Sequence, residues 1–457
     1  MNAQREIGEF FLSLVKAQPT PYSERAGDAQ LAVQRLLRAL DNPEQALPCV
    51  HIAGSKGKGT TALFAEALLA AHGRKTGVFL SPHLQRWNER FRVNKKETDD
   101  DTLLEVVARL RETVHSAGLD VCEPTVSFFD ALTACAFELF SKARVELGIM
   151  ETGIGGRFDA TRVCLAAATC ITSIELEHTD KLGNSIIDIA GHKAGIAKHG
   201  VPMVLGYVPA AARHVIAEHC AEMGAPLHAA GIDFMVSTHT HGRHTDLRIE
   251  DSVLDRPLEV TLAVSSPELA TNAAVAVHTV ALLPECPLPL SADVVAEALG
   301  KTELPGRLEL LQTCPTVVID GAHTHQSALI LTRFLKTLDF SRLTLVFSMT
   351  RGKRVEDTLS VLLPHCHRLV LTQADSQRSM PVDQLAVQVQ ALNPSIPVDI
   401  EAAITVAIER CYENLRDDEA LCVTGSVYAA GAARSLLGNA ATRTPYSEAA
   451  LRNQCHK

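Results

Sequence analysis

A glycine-rich turn between an apolar run and a helix-like segment constrains this chain more than any other feature. The turn reads Gly54-Ser55-Lys56-Gly57-Lys58-Gly59-Thr60 and follows the apolar run Cys49–Ala53. Glycines let backbone N–H groups point at an anion, the start of a helix adds partial positive charge, and Lys58 adds a full charge. The hydroxyl of Thr60 suits the Mg²⁺ that accompanies a nucleotide. The arrangement predicts a phosphate-binding loop at the end of a strand.

The spacing within this turn differs from the general phosphate-loop pattern, G-x-x-x-x-G-K-[ST]. Here the first gap is shorter, and a glycine separates the lysine from the hydroxyl. On these residues alone, a turn that only packs a helix against a sheet remains an alternative to nucleotide binding.

Composition limits the class of protein. A chain of 457 residues is longer than one hydrophobic core usually fills, so we expect two domains. The net charge of −10 and the 4% of aromatic residues argue against a nucleic-acid partner. The sequence contains no apolar run of 18 residues, no signal-peptide pattern at its start and no C-x-x-C pair. We therefore expect a cytoplasmic monomer with reduced thiols and no membrane partner.

Short apolar runs alternate with helix-like segments such as Asp100–His115, which predicts an α/β fold with parallel sheets. The Leu304-Pro305-Gly306-Arg307 stretch fits a junction, so we expect domains at 1–299 and 300–457. The predicted strands of the two series are Cys49–Ala53, Thr76–Leu80, Val145–Glu151, Ala168–Ile174 and Pro202–Gly206, then Thr316–Ile319, Leu343–Phe347, Arg368–Leu371 and Leu421–Val423.

Polar segments follow several of these strands. Ser81 and Glu151 each come directly after or at the end of a predicted strand, as the glycine-rich turn does. Because ligands collect at the carboxyl ends of parallel strands, we expect these residues to converge. His178 and Lys193 lie in later polar segments. Taken alone, Glu151 is equally compatible with a simple turn, His178 with a structural histidine and Lys193 with a solvated helix face.

Together, the order and spacing of these segments resemble the folylpolyglutamate synthase and dihydrofolate synthase family of the Mur ligase superfamily. Family members carry a glycine-rich loop of this variant form, followed by further short motifs in the same order. The matching segments in this chain run from about residue 50 to 430: Ser81-Pro82-His83-Leu84, Asn88-Glu89-Arg90, Glu151–Thr161, His178–Gly183, Lys193–Ile196, Leu304–Arg307, Asp320-Gly321-Ala322-His323 and Thr424-Gly425-Ser426.

The resemblance implies roles for individual residues. Lys58, His178 and Lys193 are the implied catalytic residues, and Lys193 stands where the superfamily often carries a carbamylated lysine. The implied Mg²⁺ ligands are Thr60, Ser81, Glu151 and His178. The implied ATP-binding residues are Gly54, Ser55, Lys56, Gly57, Lys58, Gly59, Thr60, Asn272, Arg307, Asp320 and His323.

The resemblance also implies a fold and an activity. The expected fold is an N-terminal parallel-sheet ATPase domain, like the Mur ligase middle domain, plus a smaller Rossmann-like C-terminal domain. The expected activity is ATP-dependent addition of L-glutamate to a folate or pteroate through an acyl phosphate, with ATP and Mg²⁺ as cofactors. Two alternatives stay open: a ligase of this type with a different carboxylate or amino acid, and a phosphotransferase or regulatory NTPase that forms no amide.

Several positions depart from the family pattern and leave the acceptor open. Glu177 replaces a common Asp, His192 a common Glu and Thr324 an Asn, and Lys56 matches eukaryotic members. Two further groups of residues each have two competing interpretations. His239-x-His241-x-x-His244 predicts a polar hairpin rather than a metal site. Arg86, Arg90 and Arg92, near Trp87, fit either a folate-like glutamate tail or a surface strand.

Overall fold

The chain folds into two compact units in the computed structural model, which describes residues 3–15, 30–121, 124–284, 289–375, 378–392 and 395–441. The first unit comprises the described residues of Met1–Thr240, Thr245–Ala263 and Pro267–Glu303. The second comprises the described residues of His241–His244, Val264–Ser266 and Leu304–Lys457.

An eight-stranded sheet forms the centre of the first unit. Its strands are β1 (Pro48–Ala53), β2 (Thr76–Phe79), β3 (Phe91–Val93), β4 (Lys96–Glu97), β5 (Leu147–Glu151), β6 (Leu165–Ile171), β7 (Met203–Leu205) and β8 (Leu227–Ala229). Their order is β4-β3-β2-β5-β1-β6-β7-β8. The strands from β2 to β8 in this order pair in parallel, whereas β3 and β4 are antiparallel additions at one edge.

Helices cover this sheet on both faces, which is why β5 is buried along its whole length and reads as a continuous apolar run. The helices of the first unit are α1 (Ala3–Ser13), α2 (Leu31–Ala39), α3 (Lys58–Ala71), α4 (Asp100–Ser116), α5 (Phe128–Lys142), α6 (Thr179–Leu182), α7 (Ile186–Ala194), α8 (Ala210–Glu222), α9 (Pro267–Ala281) and α10 (Ala292–Gly300). One core cluster includes residues of α1, α2, α4 and α5, and another includes residues of α7 and α8.

A small antiparallel sheet, ordered β11-β10-β9, follows the large sheet in the chain. Its strands are β9 (Phe234–His241), β10 (His244–Asp251) and β11 (Leu258–Leu262). The histidine-rich segment at 239–244 therefore lies at the tip of a hairpin, as predicted. Among the residues that the structure describes, no group of three or more His, Cys, Asp or Glu is arranged to hold a metal ion.

The second unit contains a six-stranded sheet ordered β12-β13-β17-β14-β15-β16. Its strands are β12 (Glu309–Thr313), β13 (Thr316–Ile319), β14 (Arg342–Phe347), β15 (Arg368–Gln373), β16 (Val398–Ala403) and β17 (Glu419–Thr424). All pair in parallel except β12. Its helices are α11 (His325–Leu335), α12 (Val355–Leu362), α13 (Val382–Leu392), α14 (Ile404–Glu413) and α15 (Val427–Ala441).

The predicted fold class is confirmed, because both units are α/β with mainly parallel sheets. One strand lies earlier in the chain than predicted. The apolar run predicted a strand at Ala168–Ile174, whereas β6 spans Leu165–Ile171. The structure ends β6 at Ile171 because the next two residues, Thr172 and Ser173, bond to the glycine-rich turn instead. Of the helices in the described parts of the chain, none combines the length and apolar character that crossing a bilayer requires.

Candidate active site

The glycine-rich turn joins β1 to the N-terminus of α3. Gly57 is the N-cap with φ of 86°, a left-handed conformation that glycine adopts without strain, and α3 begins at Lys58. The first four N–H groups of a helix lack partners inside it. In α3 these belong to Gly57, Lys58, Gly59 and Thr60, so four donors lie at the positive end of the helix dipole. This end of α3 is suited to bind phosphate.

The segment after β6 holds the first half of the turn in place. The amide of Ser55 donates to the carbonyl oxygen of Ser173, and the amide of Lys56 donates to its hydroxyl, both at 2.9 Å. The hydroxyl of Thr172 donates to the carbonyl of Lys56 at 2.5 Å. The amides of Ser55 and Lys56 thus shape the turn. The four amides that follow, those of Gly57–Thr60, are the ones that the start of α3 leaves available for an anion.

Two predicted site residues lie directly against the turn. A Cβ added at Gly57 would stand 2.4 Å from the side-chain oxygen of Asn272, which belongs to α9. A Cβ added at Gly59 would stand 3.5 Å from a carboxylate oxygen of Glu151. The same oxygen accepts the amide of Ser81 at 2.8 Å. The structure therefore brings the ends of β1, β2 and β5 together with α9.

A cluster of lysines surrounds the carbonyl oxygen of Gly54. The ammonium groups of Lys58 and Lys193 donate to it at 3.0 and 2.9 Å. Lys193 also forms an ion pair with Glu177 at 2.9 Å, and Lys56 lies 3.7 Å from the other oxygen of Glu177. The side chain of Lys193 is only 1% exposed. Three cations and the carboxylate of Glu177 thus lie beside the glycine-rich turn.

Burial and neighbouring charges shift the titration of this cluster. Burial opposes ionisation of Glu177, but Lys193, Lys58 and Lys56 outweigh it and lower its pKa from 4.5 to about 2. Burial lowers the pKa of Lys193 to about 8; Glu177 opposes this shift and Lys58 adds to it. Glu177 is therefore ionised at neutral pH, and Lys193 has a larger neutral fraction than an ordinary lysine.

The donor set beside the turn fits Mg²⁺. Glu151 offers a buried carboxylate, and Thr60 and Ser81 offer hydroxyls from neighbouring elements. Mg²⁺ in nucleotide enzymes uses one or two carboxylates, with water and phosphate oxygens completing the shell. His178 lies next to Glu177 in a left-handed conformation, with φ of 47°, at the start of α6. Glu151, Thr60 and Ser81 would hold Mg²⁺, which offsets phosphate charge when bound. The hydrogen bond that joins Ser81 to Glu151 does not involve His178.

The second unit carries its own group of predicted site residues, at the end of β13. Both carboxylate oxygens of Asp320 accept backbone amides, from Leu308 and Ala322, each at 2.8 Å. Burial raises the pKa of Asp320, although these amides and Arg307 oppose the shift. Nδ1 of His323 bonds to the carbonyl of Gly321 at 2.8 Å. Asp320 thus organises the loop that carries His323.

An aromatic cluster with an embedded arginine follows β2 in the chain. The guanidinium of Arg90 lies 5.5 Å from the ring centre of Trp87 and 5.9 Å from that of Phe128. Its Nε donates to His83 at 2.9 Å. The other two arginines of this segment are paired with carboxylates: Arg92 with Glu66 at 2.9 Å and Arg86 with Asp100 at 2.7 Å. Among the described residues, Arg90 is the one of the three that lies over aromatic rings.

Sequence reasoning missed several residues of the site. Thr172 and Ser173 shape the turn from about 120 positions away, and Glu177 appeared only as a departure from the family pattern. A signal for the first two was present, because small hydroxyl residues directly follow an apolar run. Nothing in the spacing indicated that Glu177 pairs with Lys193.

Comparison with known proteins agrees with this architecture. Residues 309–435 match the family described as dihydrofolate synthetase, C-terminal domain. The chain is 31% identical over 405 residues to the dihydrofolate synthase/folylpolyglutamate synthase of Bacillus subtilis, covering 87% of this chain and 92% of that protein. It is 30% identical over 431 residues to a probable bifunctional folylpolyglutamate synthase/dihydropteroate synthase of Halobacterium salinarum, covering 94% of this chain and 51% of that protein. The chain thus spans about half the length of the latter relative.

A solved structure is similar over nearly the whole chain. Mycobacterium tuberculosis folylpolyglutamate synthase complexed with ADP gives a TM-score of 0.85 at 28% identity, covering 95% of this chain and 98% of that one. The two α/β units and the glycine-rich turn define the class as the Mur ligase superfamily. This chain belongs to the folylpolyglutamate synthase/dihydrofolate synthase family.

Proposed function

We propose that this chain joins L-glutamate to a folate or pteroate at the expense of ATP. The observation that carries the proposal is the cluster at the start of α3, where four helix amides, Lys58, Lys193 and the carboxylate of Glu151 adjoin one turn. The names of the Bacillus subtilis and Mycobacterium tuberculosis relatives support the same activity.

The chemistry requires an activated carboxylate, because hydroxide is a poor leaving group for an amine to displace. ATP supplies activation by transferring its terminal phosphoryl group to the carboxylate of the pteroate or folate. The amino group of glutamate then displaces phosphate, and the amide forms. For this chain we assign two tasks: the amides of Gly57–Thr60 hold the phosphates, and Lys58 offsets charge on the moving phosphoryl group.

Thr60, Ser81, Glu151 and His178 are proposed to hold Mg²⁺, and Asn272 to contact the nucleotide from α9. In the second unit, Arg307, Asp320 and His323 are proposed to contribute to nucleotide binding. The two proposed domains, 1–299 and 300–457, correspond to these two groups of residues.

Lys193 is proposed as a site of carbamylation. A neutral amine attacks CO₂ and releases a proton, so the lowered pKa of about 8 supports this reaction. The product would be an anion beside Glu177, with Lys56 and Lys58 as the neighbouring cations. Mass spectrometry under native conditions with bicarbonate would detect the added carboxyl group on the peptide that contains Lys193.

A substrate panel tests the proposed activity. Purified chain is supplied with Mg·ATP, L-glutamate and one acceptor: dihydropteroate, tetrahydrofolate or an unrelated carboxylate. The expected result is phosphate release and amide product that require both glutamate and a pterin acceptor. ATP hydrolysis that continues without glutamate and yields no amide would contradict the proposal and favour an NTPase. Amide formed only with an unrelated carboxylate would favour a different ligase.

A further inference from the structure

A buried histidine–aspartate pair joins α9 to the small antiparallel sheet. His278 lies near the end of α9 and Asp251 at the end of β10, with Nδ1 of the first 2.6 Å from Oδ2 of the second. Their side chains are 3% and 0% exposed. A carboxylate at Nδ1 sets the tautomer and the orientation of an imidazole ring. The pair is therefore a directional contact inside the protein.

The rest of the imidazole is enclosed by rings. Phe234 stacks on His278 with ring centres 4.7 Å apart, and His228 lies 4.9 Å away. Nε2 of His278 is buried without a hydrogen-bond partner among the described residues. The bond to Asp251 is thus the hydrogen bond that orients this ring. Because both partners are buried, replacing one removes from the other a hydrogen bond that water does not replace.

The same helix carries Asn272, whose amide lies against Gly57 of the phosphate-binding turn. His278 is six residues later, about 9 Å further along the helix axis. Much of α9 is buried through Ala, Val and Leu side chains, such as Ala273 and Val277. Apolar contact is non-directional, so it keeps the helix on the sheet without strictly fixing its rotation or axial position. A buried hydrogen bond adds a directional constraint on both.

We propose that Asp251 and His278 are positioning residues for the nucleotide site. The pair holds α9 so that Asn272 stays against Gly57, although neither member of the pair belongs to the turn. This inference rests on one part of the proposed function, namely that a nucleotide binds at this turn. It adds a residue of the antiparallel sheet, Asp251, to those that support the nucleotide site.

Two substitutions at one position separate positioning from general packing. Asparagine places its amide nitrogen near the location of Nδ1 in histidine, whereas glutamine places it near Nε2. His278→Asn therefore keeps a donor for Asp251, and His278→Gln does not. Thr279→Ala is the matched control, because Thr279 is the next residue of α9, is also buried and donates its hydroxyl to the carbonyl of Val275 at 2.6 Å, whereas among the described residues no hydrogen bond joins it to Asp251.

The measurements are the Kd for Mg·ADP by calorimetry, and KM for ATP and kcat in the substrate assay. We expect His278→Gln to raise Kd and KM at least fivefold with kcat within twofold of the parent. His278→Asn and Thr279→Ala should stay within twofold in all three quantities. Unchanged Kd in His278→Gln, or an equal rise in the Thr279→Ala control, would overturn the proposal.

A measurement on the unsubstituted chain makes the test independent of whether a variant folds. In ¹⁵N NMR spectra, the ring nitrogens of His278 should shift when Mg·ADP binds, whereas those of exposed His214 should not. An unshifted His278 at saturation would contradict the coupling. Parent protein that binds Mg·ADP but yields no amide would contradict the proposed function alone, and the comparison of variants would still decide the role of the pair.

Discussion

At the scale of single residues, the site places several cationic side chains around few hydrogen-bond acceptors. Lys58 and Lys193 share one carbonyl oxygen, that of Gly54, and Glu177 is the carboxylate that binds Lys193. This arrangement concentrates positive charge at the end of α3, where phosphate would lie. This positive charge contributes to function only when an anion binds. Replacing a member of the cluster should therefore have an effect that can be measured.

Lys58→Ala should abolish ligation while the fold is retained. The substitution removes the ammonium that would neutralise the transferred phosphoryl group, and losses of about 10²–10³-fold in kcat follow removal of such groups. Amide formation and the circular dichroism spectrum are the measurements. Lys301→Ala is the control, because its side chain is 72% exposed and pairs with Glu297 on the surface of α10. Normal turnover in Lys58→Ala would contradict the assigned role.

Acid should destabilise the protein through Glu177. Its pKa is lowered from 4.5 to about 2 in the folded chain, so the contribution to stability is complete above about pH 4.5 and is lost as the pH falls toward 2. The full loss is about 3 kcal/mol, from about 1.36 kcal/mol per pKa unit. Urea unfolding between pH 5 and 3 measures the first part of this loss, about 2 kcal/mol. The Glu177→Gln variant should show a shallower dependence; identical slopes would exclude Glu177 as the cause.

At the scale of elements, the junction of β1 with α3 depends on backbone space. Gly57 has φ of 86° and faces the amide of Asn272, whereas Gly73, just after α3, has φ of 75° and open space around its Cα. Both glycines adopt left-handed conformations. They differ in whether a methyl group at Cα would clash with a neighbouring side chain. The two positions therefore form a matched pair for substitution by alanine.

Gly57→Ala should weaken nucleotide binding by tenfold or more, because a Cβ at 2.4 Å from Oδ1 of Asn272 forces the turn or α9 to move. Gly73→Ala should cost only the strain of a left-handed alanine, about 1 kcal/mol of folding stability, and leave binding unchanged. Titration with Mg·ADP and urea unfolding measure the two effects. Equal affinities in the two variants would show that the clash at Gly57 relaxes freely.

The elements predictable from sequence were those that combine periodicity with burial. The turn before α3 and the strand of Leu147–Glu151 carry local signals, in glycine spacing and apolar runs. The edge strand Val398–Ala403 is exposed along almost its whole length, so no buried face marks it in the sequence, and it was not predicted. The pairing of Asp251 with His278 joins residues 27 positions apart, and the contact of Ser173 with the turn spans about 120. Such contacts arise from topology, which a single sequence does not display.

At the scale of the whole molecule, nucleotide binding should couple to folding stability. A ligand that binds only the folded state, present at 100 times its Kd, adds about 2.7 kcal/mol to the free energy of unfolding. We expect Mg·ADP to raise the thermal midpoint of the parent chain, and EDTA to remove most of the gain. Calorimetry with and without ligand measures this. The same gain in Lys58→Ala would mean that ADP binds away from the turn.

The anchoring of Ser55 and Lys56 to Ser173 has a kinetic consequence. A turn whose shape is maintained by the segment after β6 loses little conformational freedom when phosphate binds. Association should accordingly be limited by diffusion rather than by loop rearrangement, with a rate proportional to nucleotide concentration over a wide range. Replacing Ser173 by alanine should introduce a slow, concentration-independent phase in stopped-flow traces.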